Sequence, residues 1–273
     1  MTVARRPVEV ALRAVRGRRS VALCYHGVGH STAEQDPHFL QVAPDAFRAQ
    51  LELMLGAGFR FVPIGDLVAA ANGGPPPPGL AALTFDDGMV DNLTVVLPIV
   101  RELGVPATVY VATGMIGAPN PWMQGSRMMT EEELRELAAG GIELGAHTVT
   151  HPDLSTLGYE ECLEEMVASR REVERIAGAR VRTFAYPFCS YGEPAVAAAR
   201  DAGFEAAVTC HERGGFSPHE FARTMITGKD GLPSFALKLG GAYHPLFNSL
   251  AGRAARGGTR AIRKRARSWR ERA

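Results

Sequence analysis

Ala81-Ala82-Leu83-Thr84-Phe85-Asp86-Asp87-Gly88 carries too few polar residues for a one-sided strand, then ends abruptly in two acids and a glycine. A short apolar run of this kind reads as a strand buried on both faces, the habit of parallel sheets. Helical spacing follows from about Asp91 to Leu103 and Gly104 closes it. Ala107 to Ala112 is then a second, β-branched-rich strand. Parallel strands need a crossover and the helix supplies one, so the segment is a βαβ unit.

The same rhythm extends in both directions. Upstream, Val21–Tyr25 reads as a strand. The helix from Pro44 to Gly58 has Phe47, Leu51, Met54 and Leu55 on one face and Gly56 or Gly58 as its stop. Downstream, Thr130 with Glu133 forms a capping box for a helix to Ala139. Gly140-Gly141 ends it before a strand at Ile142–Ala146. Helix Tyr159–Ala177, strand Val181–Tyr186, helix Pro194–Ala202 and strand Ala206–Thr209 complete the series. Six strands alternating with helices predict an α/β fold closed as a barrel. The run Gly73-Gly74-Pro75-Pro76-Pro77-Pro78-Gly79 reads as a stiff surface loop, since the rhythm continues on both sides of it.

Composition bounds the rest. In 273 residues, 46% hydrophobic content supports a sizeable core and excludes wholesale disorder. The net charge of +1 is a cancellation: residues 1–19 hold six basic residues and one acid, residues 252–273 hold nine and one, and the body between is near −12. The expected organisation is a basic arm over 1–19, a catalytic domain over 20–245 and a basic amphipathic tail over 246–273. In the tail Ile262, Ala266 and Trp269 share a face among arginines, a pattern suited to an anionic membrane surface. Nucleic acid is not expected as a partner, because no groove-reading motif accompanies the tail. No apolar run is long enough to span a bilayer, and the early arginines leave no room for an export signal before Val21. Cys24, Cys162, Cys189 and Cys210 are scattered without a CxxC pair, which reads as reduced thiols. The expected address is cytoplasmic, or peripheral at the inner face of the membrane.

Polar residues gather where strands end. His26 follows the first strand, Asp86 and Asp87 the second, His147 and then His151 the strand at 142–146. Pro187 and Phe188 follow the strand at 181–186, and Cys210 and His211 the strand at 206–209. In parallel α/β folds the carboxyl ends of the strands converge on the functional site. Two His and one Asp make a metal site with open positions, and the second Asp is then free to accept a proton. Pro152 biases His151 away from helix and toward a turn.

Leu83-Thr84-Phe85-Asp86-Asp87-Gly88 and His147-Thr148-Val149-Thr150-His151 resemble the first two motifs of polysaccharide deacetylases, the NodB-homology group or carbohydrate esterase family 4. The likeness runs through Val105–Thr113 and Phe184–Phe188 and covers roughly positions 20 to 230. It implies a distorted (β/α) barrel carrying one divalent metal, commonly zinc, with cobalt, nickel or manganese as alternatives. Asp87, His147 and His151 are its implied ligands and Asp86 the implied general base. The family removes N-acetyl, sometimes O-acetyl, groups from sugars, with a backbone N–H near Pro187 and Phe188 stabilising the oxyanion.

The chain departs from that pattern twice. Many members carry an arginine two residues before the third-motif proline, where this chain has Ala185; Arg223 is the residue that could bring a guanidinium from elsewhere. The late Leu-x-His motif that supplies the general acid is not recognisable. His26 is the best substitute by its strand-end position, with His211 and His244 as rivals. Trp122 and Tyr191 read either as sugar-stacking aromatics or as packing. The expected function is therefore a metal-dependent hydrolase that removes an N-acetyl, O-acyl or N-formyl group from an amino-sugar-containing glycan, glycolipid precursor or glycosylated small molecule. The alternative is a non-catalytic glycan-binding protein on a degenerate barrel.

Overall fold

The computed structural model describes residues 5–210 and 215–241. Seven parallel strands close into a barrel: β1 (Val21–Tyr25), β2 (Leu80–Phe85), β3 (Ala107–Val111), β4 (Glu143–Ala146), β5 (Thr183–Ala185), β6 (Ala206–Cys210) and β7 (Phe221–Met225). Each strand pairs with its neighbour in sequence. The ring closes where β1 pairs with both β2 (Val21↔Ala81 through Tyr25↔Phe85) and β7 (Leu23↔Thr224). The six strands expected from sequence are all present, and β7 is the addition. Phe221-Ala-Arg-Thr-Met225 hides its nature because the inward residue at its centre is a fully buried Arg223.

Alternate residues separate into two apolar clusters, as the two-residue period of a strand demands. Leu23, Tyr25, Leu83, Phe85, Val109, Val111, Leu144 and Phe184 face outward into the main core, under the helices. Ala22, Ala82, Tyr110, Ala185, Ala206, Val208 and Phe221 form the other cluster, and these mostly small residues fill a narrow lumen. Gly145 belongs to this economy: a Cβ there would overlap the Tyr110 ring. A helix that sequence spacing did not single out, Ile64–Ala71, seals this cluster with Ile64, Leu67, Val68 and Ala71. It sits at the amino ends of the strands, where Arg182, just before β5, pairs with its Asp66 at 3.0 Å.

We label the helices α1 (Arg5–Arg16), α2 (Pro44–Gly56), α3 (Ile64–Ala71), α4 (Leu97–Leu103), α5 (Glu131–Ala139), α6 (Tyr159–Ala177), α7 (Glu193–Asp201) and α8 (Leu232–Leu239). The capping box at Thr130 and Glu133 forms as expected. Within the basic segment 1–19, residues 5–16 form a helix that buries Val8 and Leu12 in the main core and leaves Arg6, Arg13 and Arg16 exposed. One expectation is corrected. The four cysteines are not all thiols, because Cys189 and Cys210 are joined in a disulfide; Cys24 and Cys162 are free and buried. Their sequence separation of 21 residues hid a pair that the barrel brings to a Cα distance of 5.5 Å. His211, His244 and the tail at 246–273 lie outside the described residues. No helix among the described residues is long and apolar enough to cross a membrane.

Candidate functional site

The carboxyl ends of the strands converge on a cavity of about 260 Å³ containing His26, Asp86, Asp87, His147 and His151. The second strand delivers both acids, but they point to different partners. Asp86 turns into the barrel, where Arg223 Nη1 and Nη2 donate to its two carboxylate oxygens at 2.7 and 2.8 Å. The Cys24 thiol adds a contact at 3.3 Å. Arg223 Nη1 also donates to Thr84 Oγ1 at 2.9 Å, and Tyr110 lies 5.4 Å from the guanidinium carbon. Burial alone would raise the Asp86 pKa, but the guanidinium outweighs it and holds the carboxyl below its ordinary value.

Asp87 takes a left-handed backbone, φ 76°, which swings its carboxylate toward the histidines. His147 Nε2 and His151 Nε2 each lie 3.4 Å from Asp87 Oδ1. The ligating atoms of all three residues fall within 4.8 Å of one another. That spacing is long for a direct hydrogen bond. It matches two ligands sharing a tetrahedral ion, which at about 2.0–2.1 Å each stand about 3.4 Å apart. His147 Nδ1 is 2.7 Å from the Ala185 carbonyl, to which it donates, so its Nε2 is left as a lone-pair donor. The three residues therefore fit one divalent cation. Burial opposes charge on His147 and on Asp87 alike, yet their mutual contact dominates: the His147 pKa is raised and Asp87 is held far below the carboxylate range. For His151 burial wins and its pKa is lowered.

The described residues include seven non-glycine positions with positive φ; four line this cavity, Asp87, His151, Phe188 and Cys189, and a fifth, Thr148, follows His147 directly. Such conformations cost about 1–3 kcal/mol each and persist only where neighbours over-determine them. For the histidine loop the clip is Glu165 on α6. Its carboxylate accepts from Val149 N at 2.7 Å, Thr150 N at 3.0 Å and Thr150 Oγ1 at 2.7 Å. Thr148 Oγ1 accepts from His151 N at 3.1 Å. For His26 the anchor is Asn92, whose side chain donates to the His26 carbonyl at 3.0 Å. Asp91 beside it holds the ribbon of Gly27–Val28 and Gln41–Val42 through Val28 N and Gln41 Nε2. Buried Asp91 has a pKa raised to about 6.

Several sequence expectations can now be placed. His26 lines the cavity, and its buried Nδ1 has no hydrogen-bond partner among the described residues. Pro187 and Phe188 form a short turn at the mouth; the Phe188 ring is 61% exposed and rests edge-on against His151 at 4.5 Å. Trp122 flanks His151 from another side, at 4.7 Å. Tyr191 instead stacks on Tyr186, outside the cavity. Arg223, the residue that could bring a guanidinium from elsewhere, is wholly buried behind Asp86 and paired with it, since a guanidinium in the lumen needs a carboxylate to offset its desolvation. Sequence reading missed His38, Leu40 and Met225 in the cavity wall, and the clip Glu165. Glu165 is one acid among many on an amphipathic helix, and no local signal distinguishes it.

A closed parallel β/α barrel with a buried two-histidine, one-carboxylate cluster at its strand ends defines a barrel protein whose donor set suits one divalent cation. Residues 73–207 match the polysaccharide deacetylase family. The match assigns this stretch, about half of the chain, to that family. The chitin deacetylase of Colletotrichum lindemuthianum is 31% identical over 113 residues, 41% of this chain and 43% of that protein. The chitooligosaccharide deacetylase of Sinorhizobium fredii (strain NBRC 101917 / NGR234) is 30% identical over 126 residues, 45% of this chain and 54% of its own length. The chain thus spans about half the length of these curated relatives. The structure of the Streptococcus pyogenes deacetylase PplD in complex with acetate aligns with a TM-score of 0.69 at 25% identity, covering 81% of this chain and 98% of that one.

Proposed function

We propose that this chain hydrolyses the N-acetyl group of an acetylated amino sugar, releasing acetate and leaving the free amine. What carries the reading is the division of labour between adjacent carboxylates: Asp87 faces two histidines, and Asp86, one residue away, is gripped by Arg223 and aimed at the same cavity. A divalent cation held by Asp87, His147 and His151 would supply Lewis acidity to the acyl oxygen and to the attacking water.

The chain's own residues do the rest. Asp86, kept ionised by Arg223, accepts the proton that the water gives up, and the bidentate contact fixes which way its oxygens face. The neighbouring amides of the Phe188 turn are already committed, Cys189 N to Tyr186 O at 3.1 Å and Ser190 N to Pro187 O at 2.9 Å. We therefore assign the Phe188 N–H to the acyl oxygen as negative charge develops on it. His26, held by Asn92 on the opposite wall, donates a proton to the departing amine nitrogen. Trp122 and Phe188 offer apolar ring faces beside His151, suited to the body of a sugar. Acetate, bound in the PplD structure, is the acid this reaction would release.

An O-acyl ester or an N-formyl group would undergo the same hydrolysis with the same residues. A purely glycan-binding role is the weaker reading, because binding alone has no use for a base clamped at this depth beside a complete donor set. The test is acetate release from N-acetylhexosamine oligosaccharides and lipid-linked acetamido sugars with added zinc, cobalt or nickel. Asp86→Asn should retain metal and lose roughly two orders of magnitude or more in kcat. Unchanged turnover in that variant would refute the base assignment.

A further inference from the structure

We propose that the Cys189–Cys210 disulfide is a positioning device for the Phe188 turn, so that turnover depends on the oxidation state of this pair. The inference rests on the deacetylation reading above only for its activity readout.

Phe188 (φ 53°) and Cys189 (φ 52°) are consecutive non-glycine residues in the left-handed region. The Phe188 side chain is mostly exposed, with one ring contact to His151. The turn itself has two backbone bonds, Cys189 N to Tyr186 O and Ser190 N to Pro187 O, and one exposed side-chain bond, Ser190 Oγ to Ser155 Oγ at 3.2 Å. The covalent bond from Cys189 to Cys210 is the additional restraint. Its far end is well chosen: Cys210 is the last residue of β6 and stands in register with Arg223 on β7. Arg223 is the residue that grips Asp86. The disulfide therefore ties the turn that carries the Phe188 N–H to the strand pair that carries the base clamp. Cys24 and Cys162 are buried elsewhere and do not compete for the pairing.

Opening the bond takes a dithiol reductant. Two electrons and two protons pass from it to the cystine, which becomes two thiols, and the reductant leaves as its own disulfide. Freed from Cys210, residues 188 and 189 can relax toward right-handed or extended backbone, which moves the Phe188 N–H away from where acyl-oxygen charge develops. Asp87, His147 and His151 are held by other contacts and should keep their metal.

The experiment compares oxidised full-length protein, the same protein reduced with a dithiol and then freed of reductant, and a Cys189→Ser/Cys210→Ser variant. Alkylation and peptide mapping of the oxidised sample should show Cys189 joined to Cys210. Loss of an oxyanion donor is worth about a hundredfold. We therefore expect kcat to fall at least roughly tenfold in the reduced protein and the variant, with KM and metal stoichiometry little changed. Reoxidation should restore the wild type but not the variant. Hydrogen exchange at residues 186–191 should accelerate in both reduced forms. Free thiols at 189 and 210 in the oxidised sample, or equal kcat in all three states, would overturn the proposal. If even the oxidised protein releases no acetate, the deacetylation reading fails by itself. Exchange at 186–191 then decides: acceleration on reduction supports the clamp and no change overturns it. Should the variant not fold, chemical reduction of the wild type gives the same comparison.

Discussion

Asp86 and Asp87 occupy consecutive positions at the end of one strand, and the fold gives them different partners. Period-two geometry sends Asp86 into the lumen toward Arg223, and the left-handed turn at Asp87 lets the next side chain reach the histidines. The pair was visible in sequence, as was the likelihood of two roles; which acid took which role by geometry needed Arg223, 137 residues away in the chain. A third acid, Asp91, shows what burial does without a cation. It is held only by Val28 N, Gln41 and Asn92, so burial dominates and raises its pKa from 3.8 to about 6. Between those values the folded protein keeps a proton that the unfolded chain has lost. Stability therefore declines as pH rises from about 4 to about 6 on this account, and is level above. Denaturation midpoints across that window should show the decline in the wild type, and Asp91→Asn should lessen it. Parallel curves would mean that Asp91 ionises normally.

At the scale of elements, β1 to β6, α2 and α4 to α7 were legible because apolar runs, glycine stops and the Thr130 capping box are local signals. The elements that escaped were those whose logic is not local. β7 presents an arginine to the lumen, α3 is a short apolar stopper inside a long connection, and α1 disguises two core residues among arginines. Two glycines separate tertiary from local roles. At Gly145 on β4 a Cβ would meet the Tyr110 ring and approach Thr183 O at 3.2 Å, while at Gly56, the last residue of α2, nothing lies within 4 Å. Gly145→Ala should destabilise by about 1–3 kcal/mol through overpacking. Gly56→Ala should be neutral or stabilising by up to about 1 kcal/mol. Urea titration of both measures the contrast. Equal effects would show that the lumen has more slack than its packing implies.

For the molecule as a whole, closure makes one rim out of residues spread from His26 to Met225. A cation bound there interacts with the folded protein and not with the open chain, so it must stabilise the fold by mass action. Zinc at a hundred times its dissociation constant should add about 2.7 kcal/mol. Thermal unfolding with zinc and with a chelator should reveal this as a rise in Tm that His151→Ala abolishes. The same rise in that variant would place the ion elsewhere.

By itself the sequence determined the βα alternation, the barrel class and the identity of the residues at most strand ends, because strand period, helix capping and turn chemistry act over a few residues. It also held the family's motifs at Asp86-Asp87 and His147–His151. Only the tertiary structure decided that Arg223 pairs with Asp86, that Cys189 meets Cys210, and that Glu165 pins the histidine loop. Each of these is a contact between strands or helices far apart in the chain. Its energy comes from burial and from exact pairing across the closed barrel, and neither exists until the first strand meets the last.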